Sequence, residues 1–243
     1  MFVDDAEPAQ WLSDRIEGFA ASVGSIVASG FEKYARIFHP AARFRADVPI
    51  ERRWTVRPQA VRWSEVAAAN GTTLHREAQF ENLSGVYPNA GVSQPGVWDL
   101  PPQEGELPAI VAHRLSSLLE RHTHTPSRCW FCVWEGWGGL RTPAGIAPLV
   151  NLPHRRYFLA TAPIAAVHGS FEAIHAQGPS IWWPDDRAWC VATEIDSRST
   201  YVGGSGDGID EILDDDVLEA LPARIDDGVG LKSDHVNPLP ANG

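Results

Sequence analysis

Disulfides are the first thing this chain lacks. Its three cysteines, an odd number in 243 residues, fit a reducing compartment better than a disulfide framework. Basic side chains are short as well: 20 Lys and Arg stand against 31 Asp and Glu, a formal charge of −11 that repels phosphate backbones and anionic lipid. Nucleic acid and membrane are therefore not expected as partners. No apolar run approaches the ~18 residues of a membrane span, and Met1-Phe2-Val3-Asp4-Asp5 lacks the basic and then apolar regions of a signal peptide, so a cytoplasmic location is expected. Also absent are a phosphate-binding P-loop, a dinucleotide fingerprint and a nucleophile elbow. No cofactor is expected, and no reaction is spelled out.

One methionine beside ten tryptophans is the compositional oddity, and aromatic core packing explains it more simply than ligand stacking. At 26.6 kDa the chain can bury roughly 70% of its extended surface without disulfide or metal. Trp11, Leu12, Ile16, Phe19, Ala20 and Val23 recur at helical spacing and predict an amphipathic helix over 9–22. Residues 34–38 read as a strand ended by His39-Pro40, because the residue before proline favours extended geometry. W-S-E-V-A-A-A-N at 63–70 reads as a helix closed by Gly71, and 74–83 as a further strand. The Pro- and Gly-rich stretch 84–105 reads as a long loop serving as lid, partner-binding loop or internal boundary.

Leu107, Val111, Leu115, Leu118 and Leu119 form the stripe of the clearest helix, over 107–121. C-W-F-C-V-W-E at 129–135 predicts a central strand buried on both faces. R-Y-F-L-A-T at 156–161 predicts another, after a loop over 140–154, and 166–176 reads as a helix. Ile209, Ile212, Leu213, Val217, Leu218 and Leu221 predict a last helix, opened by Ser205 or Asp207 and stopped by Pro222. The expectation is an α+β fold, a mainly antiparallel sheet packed by several amphipathic helices. It occupies one domain over 1–222, with a candidate internal boundary at 84–105 and a flexible tail over 223–243.

Three tryptophans, an acidic turn and a Gly-rich corner crowd into 180–205. Read as a strand, 187–196 puts Trp189, Val191, Thr193 and Ile195 on one face and Cys190, Ala192, Glu194 and Asp196 on the other. The Cα atoms of Glu194 and Asp196 are then about 7 Å apart, close enough to share a proton, a cation or a substrate. An exposed strand end would carry the same pair, and that is the plainer reading. Arg187 is the third catalytic candidate, or the ion-pair partner of Asp185 and Asp186. Trp182, Trp183 and His154 are the ligand-binding candidates, although core packing is the default for such tryptophans.

His122-x-His124-x4-Cys129-x2-Cys132 has zinc chemistry, yet positions 129 and 132 of a strand face opposite ways, so no metal site is expected. Gly203-Gly-Ser-Gly-Asp-Gly208 reads as a capped turn, because Asp207, Asp210 and Glu211 already place negative charge at the helix start. The one basic run carries Arg43, Arg45, Arg52, Arg53, Arg57 and Arg62. It is either an anion-binding patch for an acidic partner or a solvated strand pair neutralising nearby carboxylates.

C-W-F-C-V-W-E-G-W-G (129–138), L-P-H-R-R-Y-F-L (152–159) and I-W-W-P-D-D-R-A-W-C-V-A-T-E-I-D-S-R-S-T-Y-V-G-G-S (181–205), with segments 31–40 and 63–71, give the chain a resemblance over most of 30–222. It resembles a family of proteins of unassigned activity from high-GC Gram-positive bacteria. That resemblance implies a bacterial, cytosolic protein and brings no mechanism. Charge, the absent catalytic signatures and the long loop together favour an acidic intracellular module that binds another protein or regulates it, of the immunity or toxin-neutralising kind. The alternative is a small hydrolase-type enzyme using Glu194 and Asp196 with Arg187 and His154.

Overall fold

The computed structural model describes residues 1–18, 21–87, 91–137, 149–153, 155–169 and 178–240. Its strands are β1 (Lys33–Phe38), β2 (Ala41–Arg43), β3 (Gln59–Val61), β4 (Cys129–Trp134), β5 (Val150–Leu152), β6 (Arg155–Ala162), β7 (Ile181–Pro184), β8 (Cys190–Ala192), β9 (Ser199–Gly204) and β10 (Ala220–Ala223). The helices are α1 (Gln10–Ser13), α2 (Trp63–Asn70), α3 (Phe80–Ser84), α4 (Ala109–Leu119) and α5 (Gly206–Leu213). Eight strands form one antiparallel sheet in the order β10-β1-β9-β8-β7-β4-β6-β5, and β2 pairs with β3 apart from it. The fold is α+β.

The sheet is buried on both faces, which is why β4 needs apolar residues at every position rather than alternate ones. Cys129 and Phe131, with Trp182, Val191 and Val202 of neighbouring strands and Trp189 just before β8, pack under Val111, Leu115 and Leu119 of α4 and Ile209 and Ile212 of α5. Trp130 and Cys132, with Trp183, Cys190 and Tyr201, pack on the other face under Trp11, Leu12, Ile16, Val23 and Val27. A third cluster sits beside the sheet, where Phe38, Trp63, Phe80 and Trp98 follow one another at centroid spacings of 4.8, 5.3 and 5.3 Å. Trp98 is fully buried and Ala42 pairs with Leu100, so the part of the 84–105 stretch around 98–100 is sewn to this cluster. Among the described residues no helix is long and apolar enough to cross a membrane.

Several elements differ from expectation, and in each the backbone finds distant partners. The helix expected over 9–22 stops after Ser13, and Phe19 and Ala20 lie outside the described residues. Beyond it, Val23 and Gly24 donate to the carbonyls of Asp227 and Ile225, while Trp11, Leu12, Ile16 and Val23 all remain buried. The strand expected over 74–83 is replaced by an irregular run and α3. Gln79 N–H donates to Asp234, and Thr73 N–H, just before the run, donates to Asn237. The last helix ends at Leu213, because Asp215 Oδ1 accepts from the amides of Val217 and Leu218 and turns the chain. Pro222 then sits in edge strand β10, where a missing N–H is tolerated. Past Ala223 the expected tail carries buried Asp227 and Asp234, paired with Arg76 at 3.0 Å and His75 at 2.8 Å. Ile164–His168 forms a short 3-10 turn where a helix over 166–176 was expected, and residues 170–177 lie outside the described residues.

Candidate functional site

A cavity of about 400 Å³ opens between the sheet face under the N-terminal segment and the third cluster. Its floor is Arg36. In K-Y-A-R-I-F the alternation of β1 puts Arg36 on the same face as Tyr34, opposite Tyr201 of β9, and leaves it 2% exposed. Its Nε–H donates to Ser199 Oγ at 3.0 Å and one Nη to the Arg76 carbonyl at 2.9 Å. The guanidinium lies over the rings of Phe38, Trp63 and Tyr201 at 4.8, 5.6 and 5.8 Å. Among the described residues no carboxylate forms an ion pair with it. Ser180, whose buried Oγ has no hydrogen-bond partner, lines the same cavity.

Trp63, the first residue of α2, is fixed by its indole N–H, which donates to the His39 carbonyl at 2.7 Å. Ile181 and Tyr157 add apolar and aromatic wall, and burial pushes the Tyr157 hydroxyl well above its ordinary range. The mouth is charged. Arg155, at the start of β6, bridges Glu194 at 2.8 Å and Asp196 at 3.0 Å, and Glu194 Oε2 also accepts the Asp196 amide at 2.6 Å. Arg198 bridges Glu81 at 2.9 Å and Glu104 at 2.8 Å. Four carboxylates thus share two guanidiniums. Burial raises the Glu104 carboxyl, and the charges of Glu81, Asp196 and Glu194 add to this against the pull of Arg198.

Glu194 and Asp196 therefore do line a concavity, but β8 ends at Ala192 and the pair sits in the turn that follows, not on a strand face. Glu194 is 25% exposed at its side chain and Asp196 77%. Their cation is Arg155. Arg187 stands at the far end of the β7–β8 hairpin, exposed and 5.5 Å from the centre of the Trp11 ring. Its expected partners face elsewhere: Asp185 accepts the Trp130 indole N–H at 2.8 Å, and Asp186 accepts from Thr123 and the His124 amide. Trp182 is fully buried against α4 and α5, and Trp183 against Trp11 at 5.7 Å; neither lines the cavity. His154 lies outside the described residues.

Cys129 and Cys132 belong to opposite faces, and His122 is bonded to Glu211 at 2.6 Å. Among the described residues no group of three or more His, Cys, Asp or Glu side chains is arranged to hold a metal. At the Gly-rich corner Ser205 caps α5, accepting the Gly208 amide at 3.3 Å, while the Gly206 amide donates to Glu32 at 2.8 Å. A protein carboxylate thus already occupies that helix start. Arg36, Arg155 and Arg198 were absent from the expected site. For Arg36 the available signal was an arginine in mid-strand at a position that alternation assigns to a buried face. No family profile, curated protein or solved structure matches the chain.

Proposed function

We propose that the protein binds a small organic molecule bearing an anionic group, with Arg36 as the partner of that anion. One observation carries the reading: an arginine 2% exposed, with no carboxylate paired to it among the described residues, lines a cavity of about 400 Å³. Burying an unpaired charge costs several kcal/mol, and a ligand anion supplies the missing countercharge with a charge-assisted hydrogen bond. The volume lies within the roughly 300–1,000 Å³ of small-molecule pockets, which are likewise apolar with few polar groups. Both oxygens of Glu194 are engaged, by Arg155 and by the Asp196 amide, which supports a structural part for the carboxylate pair in the rim. Binding, not turnover, is the activity proposed.

Thermal shift against a panel of aliphatic and aromatic acids tests this. Some acid should stabilise the wild type and fail to stabilise Arg36→Gln, since a ligand at a hundred times its Kd adds about 2.7 kcal/mol. A panel without effect on the wild type, or with equal effect on the variant, contradicts the proposal. A second reading, binding of another protein, is favoured by the β2–β3 hairpin, whose connecting loop presents Trp54 72% exposed and Ile50 69% exposed beside Arg52, Arg53 and Arg57. Tryptophan and arginine dominate interface hot spots. Trp54→Ser should then abolish partner capture that Arg36→Gln leaves intact; capture retained by Trp54→Ser removes that reading.

A further inference from the structure

We infer that the ligand is amphoteric, a small molecule whose anionic group meets Arg36 while a cationic group, further out, meets the carboxylates of the mouth. This rests on the cavity-binding reading above and narrows it to a chemical class. The cavity lining is electrically divided: Arg36, 2% exposed, has no paired carboxylate among the described residues, whereas the more exposed Glu81, Glu104, Glu194 and Asp196 share Arg155 and Arg198. A simple anion gains Arg36 but must pass and then sit beneath an excess of negative charge. A simple cation gains the carboxylates and leaves Arg36 without an anionic partner among the described residues. A molecule with both groups satisfies both ends.

Two further features agree. The buried Ser180 hydroxyl, unpartnered, offers a donor to the ligand's anionic end or an acceptor to an N–H. Glu104, paired with Arg198 at 2.8 Å, has its carboxyl raised chiefly by burial, with smaller contributions from Glu81, Asp196 and Glu194 against the pull of Arg198. A ligand cation beside Glu104 gives this carboxylate, which already meets Arg198, a second countercharge. Between the ends Trp63, Tyr157 and Ile181 present aromatic and aliphatic surface, which suits an apolar spacer, an aromatic ring above all.

Three compounds of nearly equal shape separate the possibilities by isothermal titration calorimetry on the full chain: para-aminomethylbenzoate carries both charges, para-toluate only the anion, para-methylbenzylamine only the cation. The expected result is that para-aminomethylbenzoate binds at least about tenfold more tightly than either. Glu104→Gln should narrow its advantage over para-toluate, and Arg36→Gln its advantage over para-methylbenzylamine. The three-compound comparison uses unaltered protein and so does not depend on a variant folding. If para-toluate binds as tightly as para-aminomethylbenzoate, the amphoteric class is overturned and the Arg36 cavity reading stands. If para-methylbenzylamine equals it, or no compound binds, the cavity reading falls as well.

Discussion

Acid should loosen this protein through His39. The imidazole is fully buried; Nδ1 lies 2.8 Å from the Gln103 carbonyl and Nε2 2.8 Å from Thr200 Oγ1. A carbonyl only accepts, which assigns the proton of the neutral ring to Nδ1 and makes Nε2 the acceptor of the Thr200 hydroxyl. Thr200 then accepts from Thr193, 2.7 Å away at the cavity edge. Burial lowers the imidazole pKa from 6.5 to about 4; the Gln103 carbonyl opposes the shift, and the charges of Arg36 and Arg198 reinforce it. The unfolded chain takes up a proton near pH 6.5, whereas the folded chain stays neutral until about 4. Within that window the unfolded state binds more protons, so stability falls as pH falls, by about 1.4 kcal/mol per unit. Going from about pH 7.5 to about pH 5 should remove about 2 kcal/mol. Urea unfolding of wild type and His39→Gln across this range isolates the effect, because the variant lacks the group. Parallel pH dependences for the two proteins, or an NMR titration placing His39 near 6.5, would refute the reasoning.

Gly105 has φ +73°, and a Cβ there would lie 2.2 Å from the Ile195 carbonyl oxygen. Gly105→Ala should therefore cost about 1–3 kcal/mol in backbone strain and push the turn that carries Glu194 and Asp196; an unchanged melting temperature would contradict this packing. Cys129, Cys132 and Cys190 are fully buried, and burial pushes the Cys129 and Cys190 thiols up to about 12. A thiol reagent at neutral pH should label none of them in folded protein and all of them in denaturant, as mass spectrometry of the adducts will read. Ser205→Ala removes the cap of α5 and should cost about 1 kcal/mol, measured by urea unfolding.

What could be read in the sequence was local. The stripe of α4 and the two-sided strand β4 follow from periodicity and β-propensity within a few residues. The same holds for the Gly71 terminus of α2, which adopts the left-handed conformation expected. Elements whose backbone partners are remote were misjudged. Residues 74–83 look extended because nothing nearby reveals that the Gln79 amide meets Asp234, 155 positions away, or that the amide of Thr73, just before the run, meets Asn237, 164 positions away. The site divides in the same way. Glu194 and Asp196 stand out as neighbours in sequence, whereas their cation comes from Arg155, 39 positions before Glu194, and Arg198 meets Glu81 across 117. Arg187, adjacent in sequence, is carried to the far end of a hairpin. Arg36 sits on an evident strand, yet its burial depends on Trp63 and Ser199, which only the tertiary fold delivers.

Arg36 should receive the anion of a ligand inside the cavity. The most direct test is a nitrogen-edited NMR titration of the full chain with para-aminomethylbenzoate, following the Arg36 Nε–H and the amides of Ile181 and Thr193. Saturable shifts of these signals with a single affinity are expected, the Arg36 Nε–H moving as its guanidinium pairs with the carboxylate. Shifts confined to exposed sites such as Trp54, with the Arg36 signal unmoved at saturation, would contradict this pairing.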